Sequence, residues 1–123
     1  MSQMRTRSFS KITRVPIGPL GSSRENPSGP IGTRVIFENE LVRIWDMQVA
    51  PRGKKVWHHH TLPYAIVPIT GGKVEIETTD GKIYRGEEGP GEAIWREAGE
   101  KHELRNLTDN PYQNILVEVK VKR

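Results

Sequence analysis

Trp57-His58-His59-His60-Thr61-Leu62-Pro63-Tyr64 carries three of the four histidines of this chain, and the fourth stands in Gly99-Glu100-Lys101-His102-Glu103-Leu104-Arg105-Asn106. On a β-strand, side chains two apart share a face and lie about 7 Å apart along the backbone. His58 and His60 can therefore turn their rings onto one ion at about 2.0–2.1 Å, while His59 points the other way. A pair of partly exposed strand histidines has the same spacing, so the context of the pair decides its meaning.

Around this stretch the pattern is strand and turn. Arg34 to Phe37 reads as a short strand, Glu38-Asn39-Glu40 as a turn, and Leu41 to Val49 as a strand with apolar residues on both faces. Lys55 to His60 and Tyr64 to Thr70 follow, with Pro68 marking a sheet edge or a bulge. Gly71-Gly72 fits a two-residue hairpin turn into Lys73 to Thr78, and Thr79-Asp80-Gly81 a second turn into Lys82 to Arg85. Gly86 to Gly91 reads as a loop before Ala93-Ile94-Trp95. His102 to Leu107 and Gln113 to Lys122 complete the set, the last alternating Ile115, Val117, Val119 and Val121 against polar residues. About nine short strands with no amphipathic helix indicate an all-β barrel or sandwich.

Composition agrees: hydrophobic content is 34%, with 12 Gly and 9 Pro among 123 residues, which suits short strands and tight turns in one domain. There is no cysteine, so any metal is held by nitrogen and oxygen. No apolar run approaches the roughly 20 residues of a membrane helix. The net charge of +4 resides in residues 1–32, where Arg5, Arg7, Lys11, Arg14 and Arg24 face only Glu25. A basic arm on a neutral body (residues 33–123) argues against nucleic-acid binding, which uses charge on a folded face. This Ser-, Gly- and Pro-rich arm is expected to extend and pack on a partner subunit. Its acid-poor, Arg-rich start also has the character of an organelle transit peptide, the alternative to a cytoplasmic location. No phosphate loop, nucleophile elbow or carboxylate pair is legible.

The spacings Gly53-x4-His58-x-His60-x3-Tyr64-x6-Gly71 and Gly91-x5-Glu97-x-Gly99-x2-His102-x3-Asn106 resemble the two motifs of the cupin superfamily. The resemblance covers roughly residues 33–122 and implies a double-stranded β-helix, the jelly-roll barrel, behind an N-terminal extended arm. It places His58, His60 and His102 on the family's metal-ligating histidines and implies one divalent metal, among Fe, Ni, Zn and Mn. Two positions depart: Tyr64 stands where a glutamate is usual, and Glu97 where a proline is usual.

The first departure changes the chemistry. Three neutral imidazoles leave an ion its full formal charge, which strengthens it as a Lewis acid and favours an anionic substrate. Tyr64 is then a phenolate ligand, a hydroxyl that bonds bound water or substrate and moves a proton, or a core tyrosine. Three-histidine sites of this kind are similar to those of some non-haem iron dioxygenases. The runs His-His-His-x-Leu-Pro-Tyr and Trp-Arg-Glu-Ala-Gly look similar to those of small bacterial cupins labelled β-alanine degradation proteins, a label that carries little chemistry.

Trp95 is a candidate for the pocket mouth, and Arg96 and Arg43 are candidates to pair with a substrate carboxylate. For each, packing or solvent exposure is the plain alternative. Asn106 shares strand parity with His102 and is a candidate either to support the site or to cap a turn. The sequence thus predicts a metal-dependent cupin enzyme acting on a small anionic metabolite as a homodimer, with an oxygenase using iron ahead of an isomerase or lyase. A non-catalytic metal- or ligand-binding module is the alternative.

Overall fold

The structure, a computed structural model of the chain, describes residues 21–120. The first twenty residues of the expected arm and the end of the expected last strand lie outside them. Nine strands appear among the described residues: β1 (Arg34–Glu38), β2 (Val42–Val49), β3 (Lys54–His59), β4 (Tyr64–Pro68), β5 (Gly72–Thr78), β6 (Ile83–Glu88), β7 (Ile94–Arg96), β8 (Lys101–Asn106) and β9 (Tyr112–Val119). They form a five-stranded sheet in the order β1-β2-β9-β4-β7 and a four-stranded sheet in the order β3-β8-β5-β6, antiparallel throughout. This is the expected all-β jelly roll. No described helix is long and apolar enough to cross a membrane.

Period-two alternation sets the inner faces. Tyr64, Ile66 and Pro68 of β4 are buried between half-buried Ala65 and Val67. One core cluster joins Met47, Val49, Val74, Leu104 and Tyr112; the other joins Tyr64, Ile66 and Leu116, with Ile31, Trp45 and Ile94 packed against it. Burying each large apolar side chain contributes about 1.5–3 kcal/mol.

Strand β9 turns a polar set inward. Its buried residues are Tyr112, Asn114, Leu116 and Glu118, whereas Ile115, Val117 and Val119 are half-buried. The buried polar groups are tolerated because they are bonded: Asn114 Nδ2 donates to the Tyr112 hydroxyl at 2.8 Å, which donates to Glu88 at 2.6 Å. On the other face, Phe37, Ile44, Val117, Ala65 and Trp95 stand in register across all five strands, with Phe37 and Trp95 exposed.

Two local readings change. Gly71 and Gly72 have the anticipated positive φ, 72° and 118°, yet they do not close a hairpin. β4 pairs with β7 and β9 while β5 pairs with β6 and β8, so these glycines carry the chain from one sheet to the other. Glycine chemistry specifies the local backbone conformation, whereas the partner of each strand is chosen by tertiary packing. Likewise Gly86 to Glu88, expected as loop, extends β6, where it faces Val74, Lys73 and Gly72.

The described part of the arm runs along β3 of its own barrel. Gly29 N donates to Trp57 O at 2.9 Å, Ser22 bonds the same carbonyl, and the Arg24 guanidinium lies 5.4 Å from the Trp57 ring centroid while pairing with Glu77. Gly32 is required where it sits, since an added Cβ would lie 2.7 Å from Trp45 Cβ.

Candidate metal centre

The register of β3 on β8 sets His58 opposite His102 and, on the same face two residues deeper, Lys55 opposite Leu104. Three residues of β3 therefore span two of β8, a β-bulge at Val56-Trp57. His60 follows the end of β3 and is pinned by a reciprocal pair: its N–H donates to Glu100 O at 2.9 Å, and Gly99 N–H donates to its carbonyl at 2.7 Å. Gly99 has φ 120°, a conformation that side chains resist. His59 pairs with Lys101 and is not part of the buried cluster.

His58, His60 and His102 come together as the motifs implied. They are 3%, 2% and 3% exposed, and one ring nitrogen from each lies within 4.8 Å of the others. Ring centroids are separated by 4.9 Å (His58 to His60), 4.6 Å (His58 to His102) and 4.7 Å (His60 to His102). His58 Nδ1 lies 2.7 Å from Val56 O and His102 Nδ1 lies 2.6 Å from Glu100 Oε1. Both acceptors fix the proton on Nδ1, which leaves each Nε2 unprotonated and able to act as an electron-pair donor.

Burial, then the neighbouring His102, lowers the His58 pKa to about 3; burial, then His58, lowers that of His60 to about 2. Both rings are therefore neutral at physiological pH, the state a metal requires.

This set fits a divalent ion. His60 Nε2 lies 3.0 Å from His102 Nε2, matching the roughly 3.0 Å between two nitrogens at right angles on one ion at about 2.1 Å. His60 Nδ1 is buried and has no hydrogen-bond partner among the described residues, so one nitrogen of this ring is orphaned whichever tautomer forms. Glu100 supplies a carboxylate that orients the His102 ring. The His102 hydrogen bond holds the Glu100 carboxyl below its usual range, and Glu100 also lines an open surface cleft of about 440 Å³ with Thr78, Asp80, Tyr84 and Lys101.

The remaining candidates divide. Tyr64 is 1% exposed and its ring stacks on His60 at 4.0 Å and 13°. Burial pushes its hydroxyl pKa up, against a smaller opposite pull from Arg96, so the free phenol is neutral. Arg96 is paired across the strands with Tyr64, whereas Trp95 has the opposite parity, is exposed, and donates to Glu97 at 2.7 Å. Arg43 is occupied by Glu38 at 3.2 Å and Glu118 at 3.3 Å. Asn106, four residues along β8 from His102, donates to Ala50 O and Asn110 O and accepts from Thr108 N; it ties loops together.

Two residues near the centre escaped the sequence reading. Glu100 was detectable, because it precedes His102 by two and shares its strand parity. Glu118, 1% exposed and in register with both Arg43 and Tyr64, accepts from Trp45 Nε1 at 2.7 Å. Its neighbours' apolar character pointed to the opposite face of β9.

No protein-family model and no curated protein matches the chain. Among solved structures, a cupin domain from Bordetella pertussis Tohama I is 28% identical, with a TM-score of 0.68, covering 72% of this chain and 91% of that one. The polyketide cyclase RemF from Streptomyces resistomycificus is 20% identical (TM-score 0.55), covering 72% of this chain and 63% of that one. The Cnp3 cupin domain of Schizosaccharomyces pombe is 10% identical (TM-score 0.57), covering 70% and 61%. At these identities the last two speak only for the fold. The chain thus has the cupin fold, and the three histidines gathered between its sheets are compatible with a divalent metal.

Proposed function

We propose that the chain is a metal-dependent enzyme acting on a small anionic metabolite, with His58, His60 and His102 holding one divalent ion. One observation supports this above the others: three buried imidazoles converge with no carboxylate among the donors. A divalent ion held there supplies Lewis acidity toward an anionic oxygen and, as iron, redox chemistry with O₂. The chain's own residues do the rest. Val56 O and Glu100 fix the tautomers of His58 and His102, and Tyr64 braces the His60 ring by stacking.

As a neutral phenol, Tyr64 is suited to donate a hydrogen bond or a proton rather than to act as a phenolate ligand. Oxygenation with non-haem iron ranks ahead of isomerisation or elimination, because Tyr64, the hydroxyl beside His60, is neutral and a poor general base. The expected result is substrate-dependent O₂ uptake after anaerobic iron loading, measured with an oxygen electrode against a panel of small carboxylates and diketones. The near-complete burial of all three histidines favours a second reading, a binding module without turnover. Iron-loaded protein that binds members of the panel yet consumes no O₂ and transforms none of them would establish that reading instead.

A further inference from the structure

The bulge in β3 has a second product. Because Val56 and Trp57 together occupy one position against β8, Lys55 and His58 both fall on the face that carries Leu104 and His102. Without the extra residue, Lys55 would have the outward parity of its strand. Bulges that re-aim a side chain are concentrated beside functional sites. Leu104 belongs to the inter-sheet core, so Lys55 is an ammonium on the inner wall of the barrel, about 7 Å along the strands from the histidine row.

Its surroundings leave it incomplete. The Nζ donates to Gly32 O at 2.6 Å and, among the described residues, to nothing else. An ammonium has three donors, so two have no protein partner among the described residues. Among the described residues no carboxylate is paired with it, in contrast to Arg43 with Glu38 and Glu118, or Arg105 with Glu75, Glu77 and Glu103. Burial lowers the pKa of Lys55 to about 8. For a half-buried ammonium with one neutral acceptor, an anion is the partner that best offsets the desolvation.

We infer that Lys55 is the anchor for a carboxylate of the ligand, which lies between this ammonium and the three-histidine centre. The inference deepens the proposed function and rests on it for the ligand's second contact. It also replaces Arg43 in the role of carboxylate partner, since Arg43 is already neutralised. The ligand class is a small dianion, or a hydroxy or keto acid, with one anionic oxygen toward the histidines and a carboxylate on Lys55.

Malonate is the probe, titrated calorimetrically into protein carrying one equivalent of zinc. Lys55→Met is expected to weaken malonate at least tenfold and Lys55→Arg to recover most of the loss. Zinc affinity is expected to stay equal or become tighter, because a positive charge has left. Neutral dimethyl malonate is expected to bind neither protein. If Lys55 only tethers Gly32, Lys55→Met lowers the melting temperature and leaves malonate binding untouched, which overturns the inference; so does a wild type that binds no malonate. Failure of the wild type to take up zinc would sink the metal reading by itself. Malonate binding by zinc-free protein that still falls in Lys55→Met would then uphold the role of Lys55.

Discussion

His102→Ala is expected to purify with less than a tenth of an equivalent of metal and to bind zinc at least about a hundredfold more weakly than the wild type. Removing a mere orienting partner of a ligand costs about 10- to 100-fold, and a ligand itself costs more. The effect is large because the set has no reserve: among the described residues, three histidines form the only group able to converge on one ion. His59→Ala is the matched control. It sits between two of the three clustered histidines in sequence and outside the cluster in space, so its metal content is expected to equal the wild type's. Elemental analysis of both variants, with melting curves to show that each is folded, makes the comparison. Stoichiometric metal in His102→Ala would refute the ligand set.

The metal-free protein is expected to lose stability steeply on mild acidification. His58 and His60 have folded-state pKa values of about 3 and 2, against about 6.5 in the unfolded chain. Depressed values mean that below pH 6.5 the unfolded state binds more protons, so stability is full above that pH and falls as the pH drops toward 3. Two such groups remove roughly 3 kcal/mol between pH 7.5 and 5.5, a large part of the stability of a domain this size. Denaturant melts of chelator-treated protein at the two pH values measure the loss, which is expected to shrink in a His58→Gln/His60→Gln double variant. Equal slopes in the two proteins would show that these rings are not buried as described. Bound metal adds to the loss, because protons then compete for the same nitrogens.

What the sequence could and could not disclose follows from the range of each signal. His58, His60 and His102 were legible because the i, i+2 rule and the two spaced motifs each constrain them, and the nine strands were legible from turn residues and short apolar runs. Partnering was not: Gly71-Gly72 carries the chemistry of a tight turn whether or not its flanking strands pair. Strand β9 misdirects in another way. Its β-branched residues fit the outer face, while Asn114 and Glu118 go inward because Tyr112, Trp45 and Arg43 wait there with hydrogen bonds. Lys55 was hidden by the bulge, which breaks the parity that sequence reading depends on. Arg43 had the right charge for a substrate partner, but the carboxylates that occupy it lie five residues away in one direction and 75 in the other.

The most direct test of the account is the metal content of the wild type, measured by elemental analysis on protein purified without an affinity tag and then loaded with iron or zinc and desalted. One equivalent per chain, retained through desalting and lost on chelation, is the predicted result. A chain that retains no metal after loading, while folded, would contradict it.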